Sequence, residues 1–363
     1  MRSRAAALSV ALGLSAFALP AGAQTATGVR FTGDFRVRYE NTSQGNGALS
    51  SSKEVVRLRA GITYAAREDV LVRARLATGS GNDPNSTDVT LSQFVNDLEM
   101  SLDIASVEVN RRHWGALGGK FTNPFFAPTE LVWDGDVNPQ GAAGRLVVGN
   151  PAAVTGMLTA LYFIVDQQSG STGSDMGGAQ LTLRATPDSA WRVAASAAYY
   201  DYRLRSLVNA DPGDIRTNRL APGGARYLSD FDLLNAAVTV EHLGLGERWP
   251  LRLVGDFVHN RGAADRNTGW QADLYVGRAQ RPRDWRWRYG YAVVETDAVL
   301  AAFSHDNTTI GTNTETHTVA LDAVPLGGLL LNATWYVYRP HAVAPAAQRE
   351  FQNRLRLNAT VTF

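Results

Sequence analysis

Nine arginines recur at alternate positions in four stretches of the chain: Arg30, Arg36 and Arg38; Arg57 and Arg59; Arg73 and Arg75; Arg354 and Arg356. A guanidinium stays charged at any physiological pH and presents a planar fork of donors to carboxylates and phosphates. Its chemistry is that of a fixed cation, which attracts or aligns a solute. Lysine is nearly absent, with Lys53 and Lys120 only. A second set lies in one long connecting segment, Thr122–Gln140, which carries Glu130, Asp134 and Asp136 beside Phe125, Phe126 and Trp133. Set opposite the arginines, those acids would create a transverse field, and the aromatics would offer stacking faces to a sugar-like solute. The plainer alternative is a neutralised network through Asp34, Glu40 and the loop acids, with Pro124, Phe125, Phe126 and Trp133 pinning the loop to a wall.

Residues for covalent or proton-transfer chemistry are scattered. The six histidines are His113, His242, His259, His305, His317 and His341. None sits in a recognisable motif, and no zinc-type pair, phosphate loop or dinucleotide fingerprint appears. The expectation is no enzyme, no cofactor and no metal. Gly81-Asn82-Asp83 with Asp88 offers oxygen ligands but lacks the spacing of a calcium loop, and Asn-Asp-Pro reads more simply as a turn.

The elements that hold the arginines are strands. In Val29 to Glu40, Val29, Phe31, Phe35, Val37 and Tyr39 share one parity, and Arg30, Asp34, Arg36, Arg38 and Glu40 the other. The same alternation recurs at 54–66, 70–78 and 351–363, giving one apolar and one polar, cationic face. Further strands are expected near 99–109, 115–121, 141–149, 156–165, 177–186, 190–201, 230–242, 250–260, 268–278, 285–296, 314–324 and 328–338. That makes about sixteen strands of about ten residues, the length a tilted strand needs to cross a bilayer. Their connections alternate between short turns, such as Arg67–Asp69 and Pro187–Ser189, and long loops, such as Ser80–Leu98, Thr122–Gln140 and Asp297–Asn313. Sorting short turns to one end and long loops to the other is the pattern of an all-β, antiparallel transmembrane barrel with periplasmic turns and extracellular loops. The apolar parity then faces lipid and the arginines face the lumen. Trp285, Trp287, Tyr289, Tyr291, Trp335 and Tyr64 near strand ends suit interfacial girdles.

The bulk numbers agree. Arg2 and Arg4, the apolar run Ala5 to Leu19 and Ala21-Gly22-Ala23 form a signal peptide, with cleavage expected after Ala23 and one barrel domain over 24–363 without a plug. Removing Arg2 and Arg4 leaves 33 basic side chains (35 − 2) against 34 acidic ones, a net charge of −1, which gives nucleic acid no basic surface to bind. Cysteine is absent, so strand pairing and packing alone must hold the fold. Mean hydropathy is −0.17, and no apolar run after the leader is long enough for a spanning helix.

Several stretches resemble the putative porin family of Gram-negative bacteria: GDFRVRYE (33–40), RARLATGSGNDPNST (73–87), GGKFTNPFF (118–126), LVWDGDVNPQG (131–141), VVETDAVLAAFSHD (293–306), NATWYVYRP (332–340) and RLRLNATVTF (354–363). The resemblance implies an outer-membrane channel and carries no catalytic residues. The aromatic Phe363 closing the last strand resembles the terminal strand of outer-membrane barrels, where it serves as an assembly signal. The reading is thus a porin for passive diffusion of small hydrophilic solutes, anion-preferring through its arginines. Its partners would be outer-membrane lipid and lipopolysaccharide, the barrel-assembly machinery and two further copies in a homotrimer. Alternatives are a channel specific for an anionic or sugar-derived compound, or a non-conducting structural or adhesive barrel. Asp297–Asn313 is a second candidate for the constricting loop.

Overall fold

The structure is a computed structural model and describes residues 28–43, 50–81, 83, 85–91, 97–150, 154–167, 173–207, 210, 217–342 and 350–363. The leader, including the expected cleavage site, lies outside these residues.

Each alternating segment forms a strand: β1 (Val29–Ser43), β2 (Ser51–Arg67), β3 (Val70–Thr78), β5 (Met100–Asn110), β6 (Trp114–Lys120), β7 (Gln140–Asn150), β8 (Val154–Asp166) and β9 (Ser174–Ala185). The second half adds β10 (Trp191–Arg203), β11 (Phe231–His242), β12 (Leu251–Asn260), β13 (Thr268–Gly277), β14 (Trp285–Val294), β15 (Thr314–Leu326), β16 (Leu329–Pro340) and β17 (Gln352–Thr362). These sixteen pair antiparallel in chain order, and β17 returns to β1 to close the barrel. The two-residue strand β4 (Val89–Thr90) pairs only with the upper end of β2, which rises past the shorter β3.

The expected faces hold at the seam. Outward Phe35, Val37, Leu357 and Val361 are all exposed, as lipid-facing side chains must be in a chain taken without its bilayer. Trp249 and Trp285 meet edge to face at 4.5 Å beside the short turns, and Trp270 and Tyr291 at 5.3 Å nearer the long loops. Both belong to the interfacial aromatics.

The seam also explains Gly33, which interrupts the apolar parity of β1. Gly33 exchanges backbone hydrogen bonds with Phe363 at 2.9 and 3.1 Å, and the Phe363 ring lies across it. A Cβ at Gly33 would stand 2.5 Å from that ring and 2.6 Å from the Arg59 carbonyl oxygen.

Three long loops fold into the barrel: the described residues of L2 (79–99), with L3 (121–139) and L7 (295–313). The inward faces of β8 to β11 receive them with many apolar residues, including Leu161, Phe163, Met176, Tyr200, Tyr202, Phe231 and Leu233, beside a few polar ones such as Gln180. Against these pack Phe125, Leu131 and Trp133 of L3 and Val299, Leu300 and Phe303 of L7. Phe303 lies 5.9 Å from Trp133 and 5.4 Å from Phe163. This internal core blurs the alternation in 156–201, because many side chains on both faces of those strands are apolar. The open lumen is displaced toward β1, β2 and β12 to β17.

Candidate functional site

Strand register builds the basic wall. Inward positions of β1, β2 and β17 are adjacent, so Arg36 stands opposite Arg57, and Asp34 opposite Arg59. On the other side Glu40 stands opposite Arg356, and Thr42 opposite Arg354. Asp34 accepts from Arg57 at 2.9 Å and from Arg59 at 2.8 Å. Glu40 accepts from Arg356 at 2.7 Å and pairs with Arg354 at 3.6 Å. Like guanidiniums can share one wall because the carboxylates are interleaved with them.

The loops complete the neutralisation. Asp88 of L2 accepts from both Arg36 and Arg38. This engagement spends the oxygens that the calcium reading required; of the other residues in that reading, Asn82 lies outside the described set. Asp136 of L3 pairs with Arg59 at 3.0 Å and Arg57 at 3.5 Å. Asp306 of L7 pairs with Arg356 at 3.3 Å. The structure therefore brings Arg36, Arg38, Arg57, Arg59, Arg354 and Arg356 together at the loop-lined level. Arg73 and Arg75 stand farther round, on β3, paired with Glu108 at 2.9 Å and Asp103 at 2.5 Å. Arg30 is exposed near the short-turn end of β1, away from the loops.

L3 is held at several points. The Phe126 N–H donates to Gln180 Oε1 at 2.6 Å, Thr129 Oγ1 to Asp256 at 2.6 Å, and the Asp134 N–H to the Phe303 carbonyl at 2.8 Å. Phe125, Phe126 and Trp133 are buried, and the Trp133 indole N–H donates to the Val137 carbonyl at 2.9 Å. They anchor the loop by packing, and Phe125 and Trp133, though almost fully buried, also border the lumen. L7 is clamped in turn by Asn218, whose side chain binds the backbone of Thr296, Val299 and Ala301.

Glu130 accepts from Asn307 Nδ2 at 2.7 Å. Burial raises its carboxyl above the ordinary range. Burial, with Glu130, Asp306 and Asp136 nearby, pushes Asp134 well above its ordinary value. Burial also penalises a charged Asp306, yet Arg356, Arg38 and Arg354 draw its carboxyl down to about 2. Burial pushes the His305 imidazole down to about 4, against the pull of Asp306. At neutral pH L7 thus presents a carboxylate and a neutral imidazole.

Below the loops lies a lumen of about 750 Å³, roofed by Glu130, Asp134, Asp136, His305 and Asp306 and reaching Gly328, Leu329 and Thr362 at the short-turn end. It holds a second arginine group that the alternating stretches did not single out: Arg252, Arg286 and Arg288, gathered round Tyr275. The signal was present in Trp285-Arg286-Trp287-Arg288-Tyr289, whose aromatics face outward and whose arginines face inward. Asp306 and Asn307 were visible only as the end of a long loop. The histidines stay apart. His242 packs on Trp191 at 4.4 Å, His317 meets the Tyr289 hydroxyl at 2.9 Å, and His341 meets Glu315 at 2.9 Å. Among the described residues no group of three His, Cys, Asp or Glu could hold a metal ion.

The sequence model of the Putative porin family matches residues 46–212, from the first long loop into the fifth. No curated protein matches the chain. Among solved structures, OprB of Pseudomonas putida aligns over 93% of this chain and 94% of its own, with a TM-score of 0.62 and 12% identity. OmpF of Salmonella typhi, solved in complex with daunomycin, aligns over 93% and 98%, with a TM-score of 0.57 and 10% identity. OmpT of Vibrio cholerae, an outer-membrane protein solved in trimer form, aligns over 93% and 100%, with a TM-score of 0.54 and 11% identity. At these identities the likeness is one of fold. The family model matches a little under half of the chain, and the closed sixteen-stranded barrel is the fold of these outer-membrane porins, to which the chain is similar.

Proposed function

We propose that the chain is a passive diffusion channel for small hydrophilic solutes in the outer membrane of a Gram-negative bacterium, with a weak preference for anions. The carrying observation is the charge balance of the lumen, whose lining holds eight arginines against seven acidic residues. The surplus is small because each arginine of the wall on β1, β2 and β17 at the loop level has a carboxylate partner, so selectivity is weaker than nine free arginines would give. Ion pairs also join L2, L3 and L7 to the wall and set the bore. We further propose cleavage after Ala23, assembly through the terminal Phe363, and a homotrimer, the last by analogy with the trimeric Vibrio cholerae barrel. Lipopolysaccharide and the barrel-assembly machinery are the other expected partners.

Single-channel recording in a planar bilayer under a salt gradient tests this. The expected result is steady conductance with a small anion-favouring reversal potential. Arg36→Ala with Arg57→Ala should turn that preference toward cations, because Asp88, Asp34 and Asp136 lose cationic partners. A folded barrel that never conducts would overturn the channel reading and favour a structural barrel.

A further inference from the structure

Of the eight arginines lining the lumen, Arg252 is the one with no acidic partner among the described residues. It faces inward near the short-turn end of β12, directly opposite Tyr275 on β13. Its guanidinium carbon lies 4.1 Å from the centre of the Tyr275 ring. Arg286 and Arg288 approach the same ring at 5.4 and 5.5 Å. Three guanidiniums thus surround one buried phenol.

The three nearby carboxylates are committed elsewhere: Glu241, opposite Arg252 on β11, accepts from Arg192 at 3.2 Å. Asp322 accepts from Arg286 at 2.8 Å and from Asn332 at 2.7 Å. Asp273 accepts from Arg288 at 2.9 Å and from Gln271 at 2.9 Å. Room for that reach comes from Gly290, where a Cβ would stand 2.2 Å from the Asp273 carboxylate oxygen. Stacking on a ring uses the face of a guanidinium and leaves its N–H donors in plane, so Arg252 is oriented by Tyr275 with its donors unspent. With Arg192 and Glu241 counted, four cations against three anions leave one positive charge, and the carboxylates repel a second negative charge on any guest.

We propose that Arg252, Tyr275, Arg286 and Arg288 form a solute site on the periplasmic side of the loop-lined narrowing, selective for small hydrophilic molecules that carry a single carboxylate. The carboxylate is held by the Arg252 fork, and the hydroxyl-bearing remainder of the solute lies in the open lumen. This deepens the diffusion-channel reading and rests on it for its physiological meaning, but the binding itself does not require conduction.

Calorimetric titration of the detergent-solubilised, folded barrel with sodium gluconate tests the site without a bilayer. Saturable binding is expected, weakened about tenfold or more in Arg252→Gln, the range for losing a charge-assisted hydrogen-bond pair. Glucose, which lacks the carboxylate, should bind at least as weakly to the wild type as gluconate binds to the variant. In bilayers the companion result is saturable gluconate block at lower concentration from the short-turn side than from the loop side. Equal gluconate affinity in wild type and a correctly folded Arg252→Gln would overturn the site. Tighter binding of inorganic phosphate dianion than of gluconate would overturn the single-carboxylate assignment. Conductance without gluconate binding would leave the channel standing and remove the site; binding without conductance would do the reverse.

Discussion

At the residue scale, partners decide what each charged group contributes. Asp136 bridges Arg57 and Arg59 from L3. Asp136→Asn keeps the shape of the side chain and removes its charge. The reversal potential should move further toward anions while the barrel keeps its heat-modifiable mobility; an unchanged potential would mean that the two guanidiniums remain screened by Asp34. His305 gives the pH response. Its imidazole titrates at about 4 in the fold, against about 6.5 in an unfolded segment. A group whose value is depressed on folding lends stability above its unfolded value, and that stability is lost as pH falls toward the folded one. The docked state of L7 should therefore weaken between about pH 6.5 and 4. Asp306, which faces His305, does not blur the window, since it stays ionised to about 2. Hydrogen exchange of the amides at 298–304, compared at pH 7, 5 and 4, should accelerate with acid in the wild type and lose most of that dependence in His305→Gln.

At the element scale, L3 and L7 act as one body seated on the inner wall. Phe303 is buried between Trp133, Phe163 and Tyr202. Phe303→Ala should cost about 3–5 kcal/mol of docking, the usual toll of emptying a large aromatic site. The expected readout is a larger, noisier single-channel conductance from a barrel that is still closed. Current as quiet as in the wild type would show that L3 alone sets the bore. The strands were readable because period-two alternation follows directly from the pleat. The infolding of L3 was legible in Phe125, Phe126 and Trp133, apolar groups that a long loop does not leave in water. The partners of the arginines were not legible. Which acid reaches which guanidinium depends on strand register and on loop paths, and neither has a local sequence signal. Arg252 escaped notice for the same reason. One arginine in a strand reads as ordinary polar parity until the neighbouring strand brings Tyr275 opposite it.

At the scale of the whole molecule, the barrel exists only if its first and last strands meet, with no disulfide to hold them and Phe363 in the joint. Gly33 makes that meeting possible. A methyl group there would collide with two things of different kinds, the Phe363 ring, which can rotate away, and the Arg59 carbonyl, which belongs to the neighbouring backbone and cannot. Gly61, which would meet the Thr32 hydroxyl at 3.3 Å, is the milder comparison on the adjoining strand. Gly33→Ala should lower the yield of refolded, heat-modifiable barrel and the temperature at which it unfolds in detergent, clearly more than Gly61→Ala does. The double variant Gly33→Ala, Phe363→Ala separates the two collisions. If backbone crowding at Arg59 dominates, removing the ring restores little. If the ring dominates, the double variant refolds better than Gly33→Ala alone, and Gly33 is then a seat cut for the terminal aromatic. Refolding in vitro is the right measurement, because it reads closure of the seam separately from any use of Phe363 as a signal during assembly in the cell.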